Sequence, residues 1–294
     1  MRVLIAGGEG QVGREFGELA LPDMNLLRVG RGEFDITDAA SVARALLHYR
    51  PDALVNAAAY TAVDRAEMER EQAFAINATG AANLARAAQS AGIPMIHLST
   101  DYVFSGDKAL GEAYTEQDAC APKTVYGQTK LEGEKQVLDL CQQSAVMRTS
   151  WVFGRFGGNF PKTMLRLAGE RDQLGVVHDQ WGCPTYAADI ARAVLHMLRA
   201  MSGRRVPSGV YHYAGDSACT WFDLACYTLG RAKALGILDR LPAMKPIAST
   251  DYPVPAPRPA NSVLDCSLLS GRVPEVELSD WKAGIETLLA SGKT

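Results

Sequence analysis

The chain predicts a doubly wound parallel α/β sheet with a smaller C-terminal α/β lobe. Three observations carry this expectation. Short, almost wholly apolar runs alternate with helical stretches through the first half of the sequence. A glycine-rich turn closes the first apolar run, and the alternation breaks down after residue 153.

Residues 1–6 read as a strand because Val3, Leu4 and Ile5 run straight into Gly7 and Gly8. Residues 10–21 follow as a helix, and residues 26–29 as the second strand. Residues 39–49 carry apolar groups at helical spacing and stop before Pro51. Residues 53–57 form the third strand. Long helical patterning covers 66–91 and ends at Gly92, a residue suited to a left-handed helix terminus. A fourth strand at 95–98, a helix at 126–141 and a fifth strand at 144–152 complete the series. Strands apolar on both faces belong to a parallel sheet covered by helices on both sides. Right-handed crossovers then gather the carboxyl ends of the strands on one edge, where ligands bind.

Beyond residue 153, Gly154, Gly157 and Gly158 mark a loop and residues 164–167 suggest a helix. Residues 187–199 form a strong helix that packs back on the sheet. The run from Tyr252 to Pro259 is rich in proline, and is either a surface linker or a loop that closes over a ligand. The expected division is 1–153 with about 184–203 in a Rossmann-like first lobe, and about 154–183 with 204–294 in the second.

A chain of 294 residues, 47% hydrophobic, can bury a large core. Its net charge of −3 gives no electrostatic case for nucleic acid or an anionic membrane as partner. No apolar run approaches the roughly 18 residues of a membrane helix, and the N-terminus reads as a strand rather than a signal peptide. The six cysteines show no CxxC spacing and the five histidines no HxH or HExxH pattern. Reduced thiols in a cytoplasmic protein, and no metal site, are the expectation.

The segment Gly7-Gly8-Glu9-Gly10-Gln11-Val12-Gly13 joins a strand to a helix. Glycines there permit a tight turn and close approach of backbone to a pyrophosphate, at the positive end of a helix. Gly7, Gly10, Gln11, Val12 and Gly13 are therefore candidate cofactor residues. At the end of the second strand stands Arg31, which can pair with a 2′-phosphate. Glu33 and Asp35 follow, so NADH remains open beside NADPH, with Asp35 and Ile36 placed to border adenine. After the third strand, the small residues Ala58 and Ala59, then Tyr60 and Thr61, let a cofactor lie against backbone. Asn77, polar in an apolar helix, reads as a residue satisfying nearby backbone.

Chemistry concentrates in two places. Ser99-Thr100-Asp101 ends the fourth strand, where a hydroxyl can meet a substrate carbonyl. Tyr126 and Lys130 lie four apart, on one face of a helix. A phenol has an ordinary pKa of about 10. A lysine ammonium about 4 Å away, at an effective dielectric near 20, is worth about 4 kcal/mol, or roughly 3 pK units. The expectation is a phenol lowered toward neutrality.

These residues resemble the extended short-chain dehydrogenase/reductase superfamily. Within it the chain is similar to the dTDP-4-dehydrorhamnose reductase family, as are Asn56-Ala57-Ala58-Ala59-Tyr60-Thr61-Ala62-Val63-Asp64, Arg148-Thr149-Ser150-Trp151-Val152-Phe153-Gly154 and Asp179-Gln180-Trp181-Gly182-Cys183-Pro184-Thr185. The resemblance covers essentially the whole chain. It implies reduction of dTDP-4-dehydro-β-L-rhamnose to dTDP-β-L-rhamnose by NADPH or NADH, and a homodimer. It gives Tyr126 the proton, Lys130 the nicotinamide ribose, Thr100 the substrate oxygen, and Trp151 a place against substrate or nicotinamide. Arg258 is the candidate for the diphosphate. Asp101, Asn159 and Gln180 are further candidates for substrate contact. Some relatives resemble metal-linked dimers that use a glutamate at the position of Glu15. Ala188 stands where a second acid is expected, so no metal is carried over. A nucleotide-sugar epimerase or other 4-keto reductase, and a non-catalytic regulatory subunit, remain open on these residues.

Overall fold

The computed structural model describes residues 1–19, 21–203 and 205–292. Ala20 of the first expected helix, and Arg204, Lys293 and Thr294 of the expected second lobe, lie outside them. Strands β1 (Arg2–Ala6), β2 (Asn25–Val29), β3 (Ala53–Asn56), β4 (Met95–Thr100) and β5 (Ser144–Thr149) match the expected positions. After them come the short β6 (Val152–Phe153), β7 (Gln173–Val177), β8 (Trp181–Gly182), β9 (Thr185–Tyr186), β10 (Gly209–His212), β11 (Cys219–Thr220) and β12 (Ala243–Ile247).

Six of these strands form one sheet in the order β10-β5-β4-β3-β1-β2, parallel throughout. β10 corrects the expected division. Residues 209–212 pair with β5 in the central sheet, because Val210, Tyr211 and His212 continue its parallel register. The sheet is covered on both sides, as its period-2 alternation requires. Val3, Ile5, Ala53, Val55, Ile96, Ala145 and Met147 face one core, where Ile190, Val194, Leu195 and Leu198 pack. Leu4, Ala6, Leu54, Met95 and Val146 face the other, against Val42, Leu46, Leu84, Ala85, Ala88 and Val137.

The helices are α1 (Gln11–Glu15), α2 (Ala39–Tyr49), α3 (Val63–Ala66), α4 (Arg70–Phe74), α5 (Ala81–Ala91), α6 (Val125–Leu140), α7 (Phe160–Glu170), α8 (Ala187–Ser202), α9 (Trp221–Ala234), α10 (Ser267–Arg272) and α11 (Trp281–Ser291). Two depart from expectation. The first is short: α1 passes into a 3₁₀ turn, Phe16–Glu18, and the chain turns extended at Leu19. Gly17 there lies beneath the Arg28 guanidinium, which would have to shift to admit a side chain. The pattern over 66–91 is not one helix. It is interrupted after α3, resumes as α4, and relaxes into a π turn, Ala75–Gly80, before α5. That turn carries Asn77, whose side chain leaves the helix to satisfy loop backbone. The expected fifth strand ends at Thr149, because Trp151 adopts φ 46 and turns the chain before β6.

The second lobe is built around α7, α9, α11 and the parallel pair β7–β12. No helix among the described residues is long and apolar enough to cross a membrane.

β4 and α6 meet through polar groups. Alternation along β4 turns His97 and Ser99, two residues apart, to the α6 side. They meet Lys130 and Glu134, which are one turn apart on α6. Glu134 is doubly held by Arg148 of β5, at 2.9 and 2.6 Å, with both side chains at most 4% exposed. Removing one partner strands a buried charge. Arg148→Met should therefore cost about 3–5 kcal/mol of stability, and the Glu134→Leu/Arg148→Met double variant clearly less. Urea unfolding of both would decide it, and equal losses would refute the pair as a mutually compensated ion pair.

Candidate active site

The parallel sheet sends every strand's carboxyl end to one edge. The chain turns back after β2, so a crevice opens between the ends of β1 and β3. The glycine turn fills one side of it. Gly7 has φ +80, and a Cβ on it would lie 2.5 Å from the Ala58 nitrogen. A Cβ on Gly13 would lie 2.1 Å from the Gly7 carbonyl oxygen. The turn is thus locked against the β3 loop, and only glycine fits. Gly10 begins α1 with no side-chain cap. The first N–H groups of that helix, at Gln11 and Val12, are therefore left for an anionic group. This donor set fits a dinucleotide pyrophosphate.

Around the crevice, Gln11 is braced by its amide, which donates to Val152 O at 3.1 Å and accepts from Asn159. Arg31 stands exposed after β2. The neighbouring acids are occupied: Glu33 accepts from the Tyr49 hydroxyl, and Asp35 from the backbone and hydroxyl of Thr37. Those Thr37 bonds hold the Asp35 carboxyl below its ordinary range. Ile36 is buried and packs on the core beneath Gly80. Ala58 and Ala59 are half-buried beside Gly7, and Thr61 is exposed. Tyr60 is held by Asn77, which accepts from its N–H at 2.8 Å and donates to its carbonyl at 3.1 Å. Asn77 also donates to Thr129 of α6 at 2.9 Å, which ties the β3 loop to that helix.

Thr100, Tyr126 and Lys130 are all brought together and all buried. Thr124 caps α6 by accepting from the Gly127 N–H, so the helix starts one residue before Tyr126. The Thr100 hydroxyl donates to Asp101 at 2.9 Å and bonds the Tyr126 phenol. Tyr102 packs edge-on against Tyr126, ring centres 5.5 Å apart.

The electrostatics correct the sequence expectation. Burial pushes the Tyr126 phenol up to about 12, opposed only in part by the Thr100 hydrogen bond. Burial pushes Lys130 down to about 8, opposed by Glu134. A site shut off from water disfavours both ions, and burial is the largest influence on each. The phenol keeps its proton at neutral pH and is poised as an acid. The same burial raises Asp101 to about 6, although Ser262 and Thr100 hydrogen-bond its carboxyl.

The remaining candidates lie on the C-terminal side of the crevice. Trp151 is stacked on Trp221, with ring centres 3.5 Å apart and planes at 3°. The indole sits over Gly182, where a Cβ would be 2.4 Å from the ring. Gln180 precedes Trp181, which is tied by its N–H to Ala260 and by its carbonyl to Ser262. Arg258 makes a bidentate pair with Asp64, at 2.6 and 2.7 Å, and this fastens the proline-rich strap to the segment after β3. Three of its five N–H groups are engaged in this way and by Ala256 O. Asn159 is a helix cap: its oxygen accepts from Lys162 N, and its amide donates to Gln11 and to Gly154 O. Its polar atoms brace the loop. Glu15 is fully buried and bound by Arg155 at 2.6 Å, which supplies its countercharge. Among the described residues no group of three or more His, Cys, Asp or Glu side chains could hold a metal ion.

Sequence reasoning missed His97, Asp64, Ser262 and Trp221 as parts of this site. His97 left a signal, since an imidazole within Met95-Ile96-His97-Leu98 must be buried and bonded. The others act across the chain and left none.

Over residues 1–293 the chain matches the family model described as RmlD substrate binding domain. It belongs to the RmlD family. Among relatives of this RmlD-family chain, the dTDP-4-dehydrorhamnose reductase of Aggregatibacter actinomycetemcomitans is 40% identical, over 98% of each chain. That of Sinorhizobium fredii is 42% identical, over 98% of this chain and 97% of its own. The solved dTDP-4-dehydrorhamnose reductase of Bacillus anthracis, in complex with NADP, is 34% identical and superposes with a TM-score of 0.87 over 99% of each chain.

Asp101 carries a pH signature. A carboxyl raised from 3.8 to about 6 in the fold binds its proton more tightly there than in the unfolded chain. Its contribution to stability is complete below about pH 4, falls as pH rises through 6, and stays low above. Asp101→Asn should stabilise the protein by about 2–3 kcal/mol at pH 7.5 and not at pH 4. Denaturant unfolding at the two pH values is the measurement. Absence of any gain at pH 7.5 would contradict the burial argument.

Proposed function

We propose that this chain reduces dTDP-4-dehydro-β-L-rhamnose to dTDP-β-L-rhamnose, the last step of that sugar nucleotide's synthesis. The observation that carries this reading is the buried Thr100–Tyr126–Lys130 cluster at the carboxyl end of β4, in a chain of the RmlD family. NADPH, when bound, supplies the hydride. Gly7, Gly10, Gln11, Val12 and Gly13 seat the pyrophosphate, with Ala58, Ala59, Tyr60 and Thr61 along the opposite wall of the crevice. Arg31 is the residue for the 2′-phosphate. What supports it is that Glu33 and Asp35 are occupied by Tyr49 and Thr37 while Arg31 stands exposed. Asp35 borders the adenosine side.

As hydride arrives at the sugar C4, negative charge grows on its oxygen. Tyr126 delivers a proton to that oxygen, and a phenol that is neutral at working pH is the right reagent for it. Thr100 holds the oxygen's position and Lys130 the nicotinamide ribose. Asp101, Trp151 and Gln180 border the sugar. Arg258 contributes the positive charge facing the diphosphate from the N–H groups that Asp64 leaves open. The first lobe, residues 1–153 and about 184–203 with β10, seats the cofactor. The second lobe seats the sugar nucleotide. A homodimer, supported by family resemblance, and a cytoplasmic location, supported by six unpaired cysteines, belong to the same proposal.

The test is absorbance at the nicotinamide band with dTDP-4-dehydrorhamnose, comparing NADPH and NADH. Oxidation of NADPH in step with substrate is expected, and NADPH binding without turnover would favour a regulatory subunit instead. Tyr126→Phe should lower kcat by at least about 100-fold and leave NADPH affinity nearly unchanged. Lys130→Met should weaken both. Full activity in the phenylalanine variant would rule out Tyr126 as the acid.

A further inference from the structure

The catalytic lysine touches a residue that no step above uses. His97, fully buried on β4, lies with Nε2 3.3 Å from Lys130 Nζ and Nδ1 2.9 Å from Asn56 Nδ2. The proton inventory of this chain of contacts is fixed from its far end. The Ala58 N–H donates to Asn56 Oδ1 at 3.1 Å, so the Asn56 oxygen faces Ala58 and its NH₂ faces His97. An amide NH₂ only donates, so His97 Nδ1 must accept and carries no proton. Burial keeps this imidazole neutral, well below the ordinary histidine range. Its single proton is therefore on Nε2, directed at the lysine.

An ammonium has three donors and no lone pair. Facing an N–H, it gains nothing and is repelled, whereas the free amine can accept. The lysine meanwhile donates to Leu98 O at 2.6 Å, which either protonation state can do. We propose that His97 is a positioning residue whose Asn56-locked Nε2–H tautomer lowers the proton affinity of Lys130 and holds its nitrogen against the Leu98 carbonyl. The titratable groups set against Lys130 are His97 from β4 and, from α6 itself, Glu134. Glu134 acts in the opposite sense and is largely neutralised by Arg148. Because Ala58 packs on Gly7, the network runs unbroken from the cofactor turn to the lysine.

The inference rests on the reading of Lys130 as part of a reducing site, but its test is made without substrate. Long-range ¹⁵N NMR of the histidine rings reads the tautomer, with His97→Gln assigning the signal. ¹³C NMR of lysine-labelled protein reads the Lys130 titration, with Lys130→Met assigning it. The Nε2–H form and a Lys130 midpoint well below that of the other lysines are expected. Asn56→Asp changes a donor into an acceptor at constant size and should turn His97 over to the Nδ1–H form. Nε2 then accepts from Lys130, whose midpoint should rise by about one unit, a tenfold change in proton affinity. The alkaline limb of kcat/KM should move up with it. His97→Gln, whose amide can take the same two bonds, should keep the low midpoint. An Nδ1–H tautomer in the unaltered protein, or an ordinary lysine midpoint there, would overturn the proposal even if the chain proves to be a reductase. Failure to turn over dTDP-4-dehydrorhamnose with both NMR results intact would count against the reductase reading alone.

Discussion

Strand β4 and helix α6 are joined by buried polar pairs where an apolar seam would be the usual solution. Ser99 and Arg148 hold Glu134, and His97 and the Leu98 carbonyl hold Lys130. Taking such groups out of water is costly, and the pairs add little net stability over well-packed hydrophobes. What they add is register. A slip of β4 by one residue would turn His97 and Ser99 to the opposite face, taking His97 from Lys130 and the Ser99 hydroxyl from Glu134. Because α6 can dock in only one position, Tyr126 arrives one turn before Lys130, directly beside Thr100 at the strand's end. The catalytic geometry is inherited from this docking.

The crevice is assembled by similar close constraints. Gly7 and Ala58 touch backbone to backbone at the point where strand order reverses, which brings the cofactor turn against the β3 loop. Asn77 then ties that loop to α6. From the other lobe, Arg258 reaches Asp64, and Ser262 reaches Asp101. Trp151, in a left-handed conformation that costs about 1–3 kcal/mol, is held in place by its stack on Trp221 and the gap at Gly182. Each contact joins segments far apart in sequence, and together they position the two lobes around one cleft.

Water exclusion governs the chemistry. A phenol and an amine in contact with solvent would titrate near their ordinary values, since water screens their charge interaction. Buried, each is moved toward its neutral form. For the proposed reduction this is favourable, since the proton that a developing alkoxide would need is already on Tyr126. Asp101, next to Thr100, is raised by the same burial.

The parallel sheet, the glycine turn and the Tyr126–Lys130 pair were all determined by sequence alone. Each is a local pattern: apolar runs of period 2, glycines at a strand–helix junction, and two side chains one helical turn apart. Asn77 was legible for the same reason, as a lone polar group in an apolar helix. Tertiary structure decided the rest. It placed β10 in the central sheet, assigned Arg258 to Asp64 and Asn159 to a helix cap, and set Trp151 on Trp221. It also reversed the expected electrostatics of Tyr126. Except for the local cap at Asn159, these outcomes depend on partners more than 50 residues away and on how much water the folded chain admits. Neither the partner nor the dielectric is written in the spacing of neighbouring residues.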